Sequence, residues 1–328
     1  MKAAVFTRYG PPSAVVELRD FETPEPKDDQ VRIDIRAASV NALDWRTITG
    51  TPFVARLMMG LRKPKETRLG VDVAGVVDAV GRSVTRLKTG DAVFGNCRGA
   101  FAEAACAPES ALLAIPEGVS FEEAASVPVA SFTALQALRK GNIASARSVL
   151  VNGAAGGVGT FAVQLARTFG AHVTGVTRTE NLEFVRSLGA DAVIDYTRED
   201  FARSGRTYDL ILDCHATRPL SVCRRALNPN GAYLVIGAPF TGWTDPLGLM
   251  LKSAFFSMFG DRKIGMTMAK RDPADLAAVM QLVKDGKITP AIDRRFRLDQ
   301  IRDAIAYVAD GKARGKVVLV MRSEGGTG

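Results

Sequence analysis

One stretch, residues 149–182, restricts the possible fold more than any other part of this chain. It reads VLVNGAAGGVGTFAVQLARTFGAHVTGVTRTENL. An apolar strand runs into Gly153, further glycines follow at 156, 157 and 159, and a helical pattern and a second strand come next. Glycines in such a turn allow a sharp bend, a close approach of the backbone to a pyrophosphate, and close packing of the helix on the strand. The stretch therefore predicts a βαβ unit that binds a dinucleotide.

The start of the helix in this stretch is the predicted phosphate site. Unpaired N–H groups and the positive end of the helix dipole favour an anion at that place. The candidate contacts are Ala155, Gly156, Gly157 and Val158. Ala154 replaces the first glycine of the usual fingerprint, and a purely structural turn is the alternative interpretation.

The end of the second strand indicates which dinucleotide is bound. About 20 residues after the glycines, an NAD site usually carries an Asp or Glu that binds the ribose diol. This chain has Thr177 followed by Arg178 there. A carboxylate would repel a 2′-phosphate, whereas a hydroxyl and a guanidinium accept one, so we expect NADPH. Tyr196, after the next strand, either flanks the adenosine or packs as an edge tyrosine.

The rest of the chain predicts two domains, since 328 residues are many for one hydrophobic core. The first third contains short apolar or alternating runs separated by Gly and Pro, which is typical of a partly closed β-barrel. From Ser120, with acidic residues in the first turn of a helix, strands alternate with helices and predict a parallel α/β sheet. We predict one domain over 1–121 and 263–328, and a doubly wound Rossmann domain over 122–262.

Charge and composition argue against other classes of protein. The formal net charge is +8, but the basic residues are spread along the chain, so no nucleic acid partner is expected. No window reaches the ~20 apolar residues of a membrane span, and no secretory signal is visible, so we expect a cytoplasmic protein. The four cysteines and two histidines have no metal-ligand spacing and indicate no disulfide framework.

Seven motifs, taken in their order and spacing, resemble one family of proteins. They are SVNALDWR, LGVDVAGVV, GDAVFG, ASFTALQAL, NGAAGGVGTFAVQLAR, RSLGADAVIDY and ARGKVVLV. The chain resembles the medium-chain dehydrogenase/reductase superfamily, in its zinc-independent quinone oxidoreductase branch. This resemblance implies a GroES-like barrel domain, a Rossmann domain and an active-site cleft between them. It also implies hydride transfer from NADPH to an apolar quinone or α,β-unsaturated carbonyl, and we expect a homodimer.

The resemblance also implies candidate site residues. Asn41 and Asp44 would lie at the nicotinamide end of the cleft, where Asn41 could orient substrate or ribose and Asp44 could hold the group that delivers the proton. Alternatively, both cap the loop after the strand, as Asx residues commonly do. Five residues would border the cofactor: Thr133, His215, Ile236, Gly237 and Lys316. Thr133 could instead bond its own helix backbone, and His215 could be a loop residue without a role.

A metal is not expected at this site. Zinc-dependent relatives carry ligands at the positions that hold Asn41, Val71 and Val129 in this chain. Valine cannot ligate a metal, and the cysteine-rich lobe of those relatives is missing. Two other functions stay open: an alcohol dehydrogenase acting on carbonyls, and a non-catalytic NADPH-binding sensor.

Two segments rich in Met, Phe and Leu, 53–64 and 247–260, have no assigned place. Ordinary core is one interpretation. As insertions around a cleft they would instead form an apolar substrate wall, a dimer contact or a contact with a membrane surface.

Overall fold

In the computed structural model, which describes residues 1–237, 248 and 261–321, the chain divides into two units. The first comprises Met1–Val129, Asp272–Gly286 and Pro290–Gly328, and the second comprises Ala130–Arg271 and Lys287–Thr289. The predicted boundaries, after 121 and before 263, fall inside the first and second unit respectively. The apolar segment 247–260 lies outside the described residues apart from position 248.

The strands are β1 (Lys2–Phe6), β2 (Val16–Asp20), β3 (Gln30–Val40), β4 (Asp72–Val80), β5 (Ala92–Asn96), β6 (Ala104–Pro108), β7 (Leu112–Ala114), β8 (Ser148–Asn152), β9 (His172–Thr177), β10 (Ala192–Asp195), β11 (Tyr208–Asp213), β12 (Leu227–Val235), β13 (Lys263–Met266), β14 (Ile292–Arg297) and β15 (Lys316–Val320). The α-helices are α1 (Pro12–Val15), α2 (Ala42–Thr49), α3 (Arg56–Met59), α4 (Phe121–Ser126), α5 (Pro128–Lys140), α6 (Gly157–Thr168), α7 (Leu182–Ser187), α8 (Leu220–Cys223), α9 (Pro273–Lys284) and α10 (Ile301–Ala309). No helix among the described residues is long and apolar enough to cross a membrane.

The first unit is built around β3. The order of its main sheet is β14-β15-β3-β4-β5-β7, and β6 also pairs with β3. All of these pairs are antiparallel except β14 with β15. The two end strands of this order, β14 and β7, do not pair with each other among the described residues, so the sheet is open. Its core includes the fully buried side chains of Phe6, Ile33, Ile35, Ile48, Val73 and Phe101.

Helix α4 begins where its sequence predicts. The Ser120 N–H donates to Glu123 Oε2 at 2.9 Å, and the Glu123 N–H donates to Ser120 Oγ at 3.2 Å. This reciprocal capping satisfies two N–H groups that would otherwise lack a partner at a helix start. The helix then buries Ala124 and Ala125, and α4 contacts β3 and β4.

The second unit contains a six-stranded parallel sheet of order β10-β9-β8-β11-β12-β13. The direction of this order reverses between β8 and β11, the switch point at which doubly wound sheets bind ligands. The predicted Rossmann sheet is therefore confirmed, and the first unit is the predicted β-rich domain, whose sheet is not a closed barrel among the described residues. Strand β13 joins the sheet through β12, which is why 263–266 belongs with this unit.

Candidate functional site

The turn between β8 and α6 is shaped by its glycines. Gly153 has a φ of +79°, a left-handed conformation that favours glycine. A Cβ on Gly159 would lie 2.1 Å from the Gly153 carbonyl oxygen, so α6 can start this close to the turn because Gly159 has no side chain. A Cβ on Gly156 would meet nothing nearer than 3.4 Å. The outer side of the turn is therefore open to a ligand.

The same turn has the donors that a pyrophosphate needs. The first hydrogen bond of the α6 ladder runs from the Thr160 N–H to the Gly156 carbonyl at 2.9 Å. The N–H groups of Gly157, Val158 and Gly159 precede this ladder, and such groups at a helix start bind anions. Ala155 is buried at the base of the turn. These residues fit the phosphates of a dinucleotide.

Most of the other predicted cofactor residues lie at one edge of the parallel sheet, where its carboxyl ends meet. Thr177 ends β9 and is buried, and Arg178 follows it. The Tyr196 N–H, directly after β10, donates to the Thr177 carbonyl at 3.0 Å. Three further predicted cofactor residues lie at the same edge of the sheet. His215 follows β11, and Ile236 and Gly237 follow β12.

Two predicted cofactor residues, Arg178 and Thr133, differ in their exposure to solvent. The Arg178 side chain is 38% exposed and forms an ion pair with Glu180, with Nη1 and Oε1 3.3 Å apart. Its guanidinium is thus near the surface beside the end of β9. Thr133 is half-buried on α5.

Asp213, which the sequence did not single out, connects three neighbouring strands, β8, β11 and β12, near this edge. Its carboxylate accepts hydrogen bonds from Asn152 Nδ2 at 2.7 Å, Tyr233 OH at 2.5 Å and the His215 N–H at 3.0 Å. Burial raises the pKa of the Asp213 carboxyl, and the bonds from Tyr233 and Asn152 oppose that rise. Asp213 therefore fixes the backbone of His215 beside the glycine turn.

Cys214 and His215 do not form a nucleophile pair. Burial raises the pKa of the Cys214 thiol to about 12, whereas His215 is exposed. A thiol with such a pKa is not a nucleophile near neutral pH, because the thiolate is the reactive form. The expectation that this segment borders the cofactor stays a prediction.

The first unit holds a buried polar cluster around Asp72 at the ends of its strands. Asp72 is fully buried and lies directly across from Ser39 on β3 and from Asn96 on β5. Its Oδ2 accepts from Ser39 Oγ at 3.1 Å, and its Oδ1 accepts from Asn96 Nδ2 at 2.9 Å. The Val129 N–H also donates to Oδ1, at 3.2 Å.

Lys316 and Asn41 complete this cluster. The Lys316 ammonium is 3.7 Å from Asp72 Oδ2, and the two side chains are only 2% and 0% exposed. Lys316 Nζ donates to Asn41 Oδ1 at 2.5 Å, while Asn41 Nδ2 donates to Asp72 Oδ2 at 2.9 Å. Both ends of the Asn41 amide are therefore fixed. Burial lowers the pKa of Lys316 and raises that of Asp72, and each charge opposes the shift of the other.

Asp44 is attached to the cluster through the start of α2. Its Oδ2 accepts from the Asn41 N–H at 2.7 Å, the reach-back of a third helical residue to the N-cap. Asp44 is 3% exposed, and its burial raises the pKa of its carboxyl to about 7. The Asp44 carboxylate thus caps the start of α2, whereas the Asn41 side chain is bound by Lys316 and Asp72. Together these contacts hold Asn41 in one orientation.

These residues do not fit a zinc ion. The positions that the family resemblance assigns to metal ligands hold Asn41, Val71 and Val129, and two of these side chains have no donor atom. The third, Asn41, presents its oxygen to an ammonium, and a cation at that place would repel a second one. Among the described residues there is also no group of three or more His, Cys, Asp or Glu side chains that could hold a metal.

Sequence reasoning found Asn41, Asp44 and Lys316 separately but missed Ser39, Asp72 and Asn96. A usable signal exists, because each of these three is a polar residue within or at the end of an apolar strand. Their meeting depends on strand register, which places them side by side across β3, β4 and β5.

Comparisons with known proteins identify the family. Residues 27–117 match the family model of an alcohol dehydrogenase GroES-like domain, and residues 188–319 match that of a zinc-binding dehydrogenase. The chloroplast envelope quinone oxidoreductase homolog of Arabidopsis thaliana is 34% identical, over 97% of this chain and 98% of that protein. The NADPH-dependent alkenal/one oxidoreductase of the same plant is 32% identical, over 97% of this chain and 79% of that protein.

A solved structure gives the same result. The quinone oxidoreductase from Coxiella burnetii has a TM-score of 0.85 and 30% identity, covering 98% of this chain and 99% of that chain. The chain belongs to the medium-chain dehydrogenase/reductase superfamily and is an oxidoreductase. Within the superfamily it belongs with the quinone oxidoreductases, so the predicted family is confirmed.

The buried pair predicts strong coupling between Asp72 and Lys316. Lys316→Met leaves a buried carboxylate without its counter-ion and should lower the free energy of unfolding by about 3–5 kcal/mol. The double variant Asp72→Asn/Lys316→Met should lose much less than the sum of the two single variants. Urea denaturation measures all three, and Arg82→Met, which breaks the exposed pair with Asp28, is the control with little effect. Additive losses would contradict the coupling.

Asp44 predicts a pH dependence of stability. Its folded pKa of about 7 exceeds its ordinary value of 3.8, so as pH rises the unfolded chain releases this proton first. Stability should therefore fall between about pH 4 and pH 7, by up to about 1.4 kcal/mol per pH unit from this group. Asp44→Asn keeps the cap and removes the titration, so urea denaturation should show a flatter profile for the variant. Parallel profiles of the two proteins would refute the assignment.

Proposed function

We propose that this protein reduces apolar quinones or α,β-unsaturated carbonyls with NADPH and without a metal ion. The observation that carries the proposal is the hydrogen bonding of the Asn41 amide. Its oxygen accepts from Lys316, and its nitrogen donates to Asp72. A zinc-dependent relative would polarise its substrate with a metal at this place. Here the Lys316 ammonium donates to the Asn41 oxygen, and no metal ion polarises the substrate. The acceptor must therefore stabilise by itself the negative charge that develops during hydride transfer.

A conjugated acceptor meets that requirement. When bound, NADPH supplies a hydride, and the negative charge that develops on a quinone or enone delocalises onto its oxygen. The names of the two Arabidopsis relatives, a quinone oxidoreductase homolog and an NADPH-dependent alkenal/one oxidoreductase, support this class of acceptor and a nicotinamide cofactor.

We assign different roles to the residues of the Asp72 cluster. Asn41 orients the substrate or the nicotinamide ribose, and Lys316 and Asp72 are positioning residues that act through Asn41. Asp44 is the candidate for the proton step, because a carboxyl whose pKa is about 7 is suited to exchanging protons near neutral pH. The glycine turn of the second unit holds the pyrophosphate.

The choice of NADPH over NADH rests on Thr177 and Arg178. The position that carries a ribose-binding carboxylate in NAD sites is a threonine, and a guanidinium follows it at the surface. A guanidinium forms strong, charge-assisted hydrogen bonds with a phosphate. These two side chains therefore support a 2′-phosphate site.

A panel of acceptors tests the proposed reaction. We expect NADPH oxidation with naphthoquinone and with methyl vinyl ketone, and none with butanone, which lacks only the double bond of the second compound. Rates should be the same after treatment with a chelator. Turnover of butanone alone would favour the alcohol dehydrogenase alternative, and tight NADPH binding without any turnover would favour a sensor.

Cofactor choice is tested by Arg178→Ala. The variant should weaken NADPH binding roughly tenfold or more, because a charge-assisted bond to the 2′-phosphate is lost. NADH binding should change little, since NADH has no such phosphate. Cofactor fluorescence titration measures both, with the exposed Arg203→Ala of the same unit as control. An equal loss for the two cofactors would refute the 2′-phosphate site.

A further inference from the structure

Segment 53–65 of the first unit presents apolar side chains to solvent. A 3₁₀ turn over Phe53–Ala55 continues into α3, and the helical turns end at Gly60, whose φ is +115°. Val54, Leu57 and Met58 are 37%, 61% and 83% exposed, and Leu61 is 58% exposed. The first three share one face of the helical turns, because their spacing is i, i+3 and i+4.

The opposite face of this segment fastens it to the unit. The Arg56 guanidinium lies over the rings of Tyr9 and Phe53, 4.3 Å and 4.7 Å from their centroids. It also donates to the carbonyls of Gly50 and Thr49, both at 3.0 Å. The Tyr9 hydroxyl donates to the Gly60 carbonyl at 2.6 Å.

This arrangement is the reverse of an ordinary surface helix, which turns its apolar face inward and its charges outward. Here the charged Arg56 faces the protein, and Leu57 and Met58 face outward. Because the inward face is held by several contacts, the outward direction of the apolar side chains is set by the fold.

A cluster of cations follows the apolar face. Arg62, Lys63 and Lys65 are exposed, and none of them forms an ion pair with another described residue. The sequence 45–65 contains five basic residues and no acidic one. Exposed apolar side chains bordered by free cations match the chemistry of an anionic lipid surface.

We propose that segment 53–65 docks onto an anionic lipid surface. Leu57, Met58 and Leu61 insert at the boundary between headgroups and acyl chains, and Arg62, Lys63 and Lys65 contact the lipid phosphates. A second copy of the chain fits less well, since a two-fold interface places each patch against its own copy and would bring these cations together. The proposal does not depend on the proposed reaction.

Co-sedimentation of the full chain with lipid vesicles tests this proposal. The protein should bind vesicles made of equal amounts of phosphatidylcholine and phosphatidylglycerol, and should not bind phosphatidylcholine alone. Binding to the anionic vesicles should decrease as salt is added, because the cations are exposed and salt screens them.

Two variants separate the contributions of the apolar side chains and of the cations to vesicle binding. Leu57→Ser/Met58→Ser and Arg62→Gln/Lys63→Gln should each weaken binding to the anionic vesicles at least about fivefold. Lys284→Gln/Lys287→Gln removes two exposed charges elsewhere on the chain, one from each unit, and should leave vesicle binding unchanged. NADPH binding and the thermal unfolding midpoint should be the same in all four proteins, which shows that the variants fold.

Three results would overturn the proposal. The first is the absence of binding by the unaltered protein, and the second is an equal loss in the lysine control. The third is a dimer in sedimentation equilibrium that Leu57→Ser/Met58→Ser dissociates without any effect on vesicle binding, which would make this face a contact between two copies.

Discussion

The burial of the Asp72 carboxylate is the constraint on which the first unit depends. A charge removed from water is tolerated only where donors already surround it. Three neutral side chains, the backbone N–H of Val129 in α5 and the Lys316 ammonium meet this need, and they come from elements distant in sequence. The same contacts fix Asn41, and through it Asp44 and the start of α2. The positions of the candidate active residues Asn41 and Asp44 therefore depend on the contacts that stabilise the buried Asp72 carboxylate.

The second unit has a comparable buried carboxylate, at the edge of the parallel sheet where its carboxyl ends meet. Asp213 is buried at the end of β11 and accepts bonds from Asn152, Tyr233 and the backbone of His215. It thereby joins three neighbouring strands, β8, β11 and β12. In each unit a buried carboxylate therefore joins neighbouring strands. Such preorganisation lowers the cost of ordering a site when ligand binds.

Features governed by local chain geometry could be predicted from the sequence. The glycine turn, the helix start at Ser120 and the alternation of strands and helices each follow from neighbouring residues. The meeting of Ser39, Asp72 and Asn96 could not be predicted, because a shift of one residue in strand pairing would turn these side chains to the other face. The outward direction of the apolar side chains in segment 53–65 could not be predicted either, because their spacing is the same as that of a core helix. The packing of Arg56 on Tyr9 sets this direction.

The path of the hydride tests the central claim, reduction of a conjugated acceptor without a metal, most directly. NADPH deuterated at both transferable positions of the nicotinamide is incubated with methyl vinyl ketone and chelator-treated protein, and the product is analysed by mass spectrometry and NMR. We predict butanone with one deuterium on the carbon β to the carbonyl, formed at the same rate as by untreated protein. Deuterium on the carbonyl carbon, or loss of transfer after removal of metal, would contradict the account.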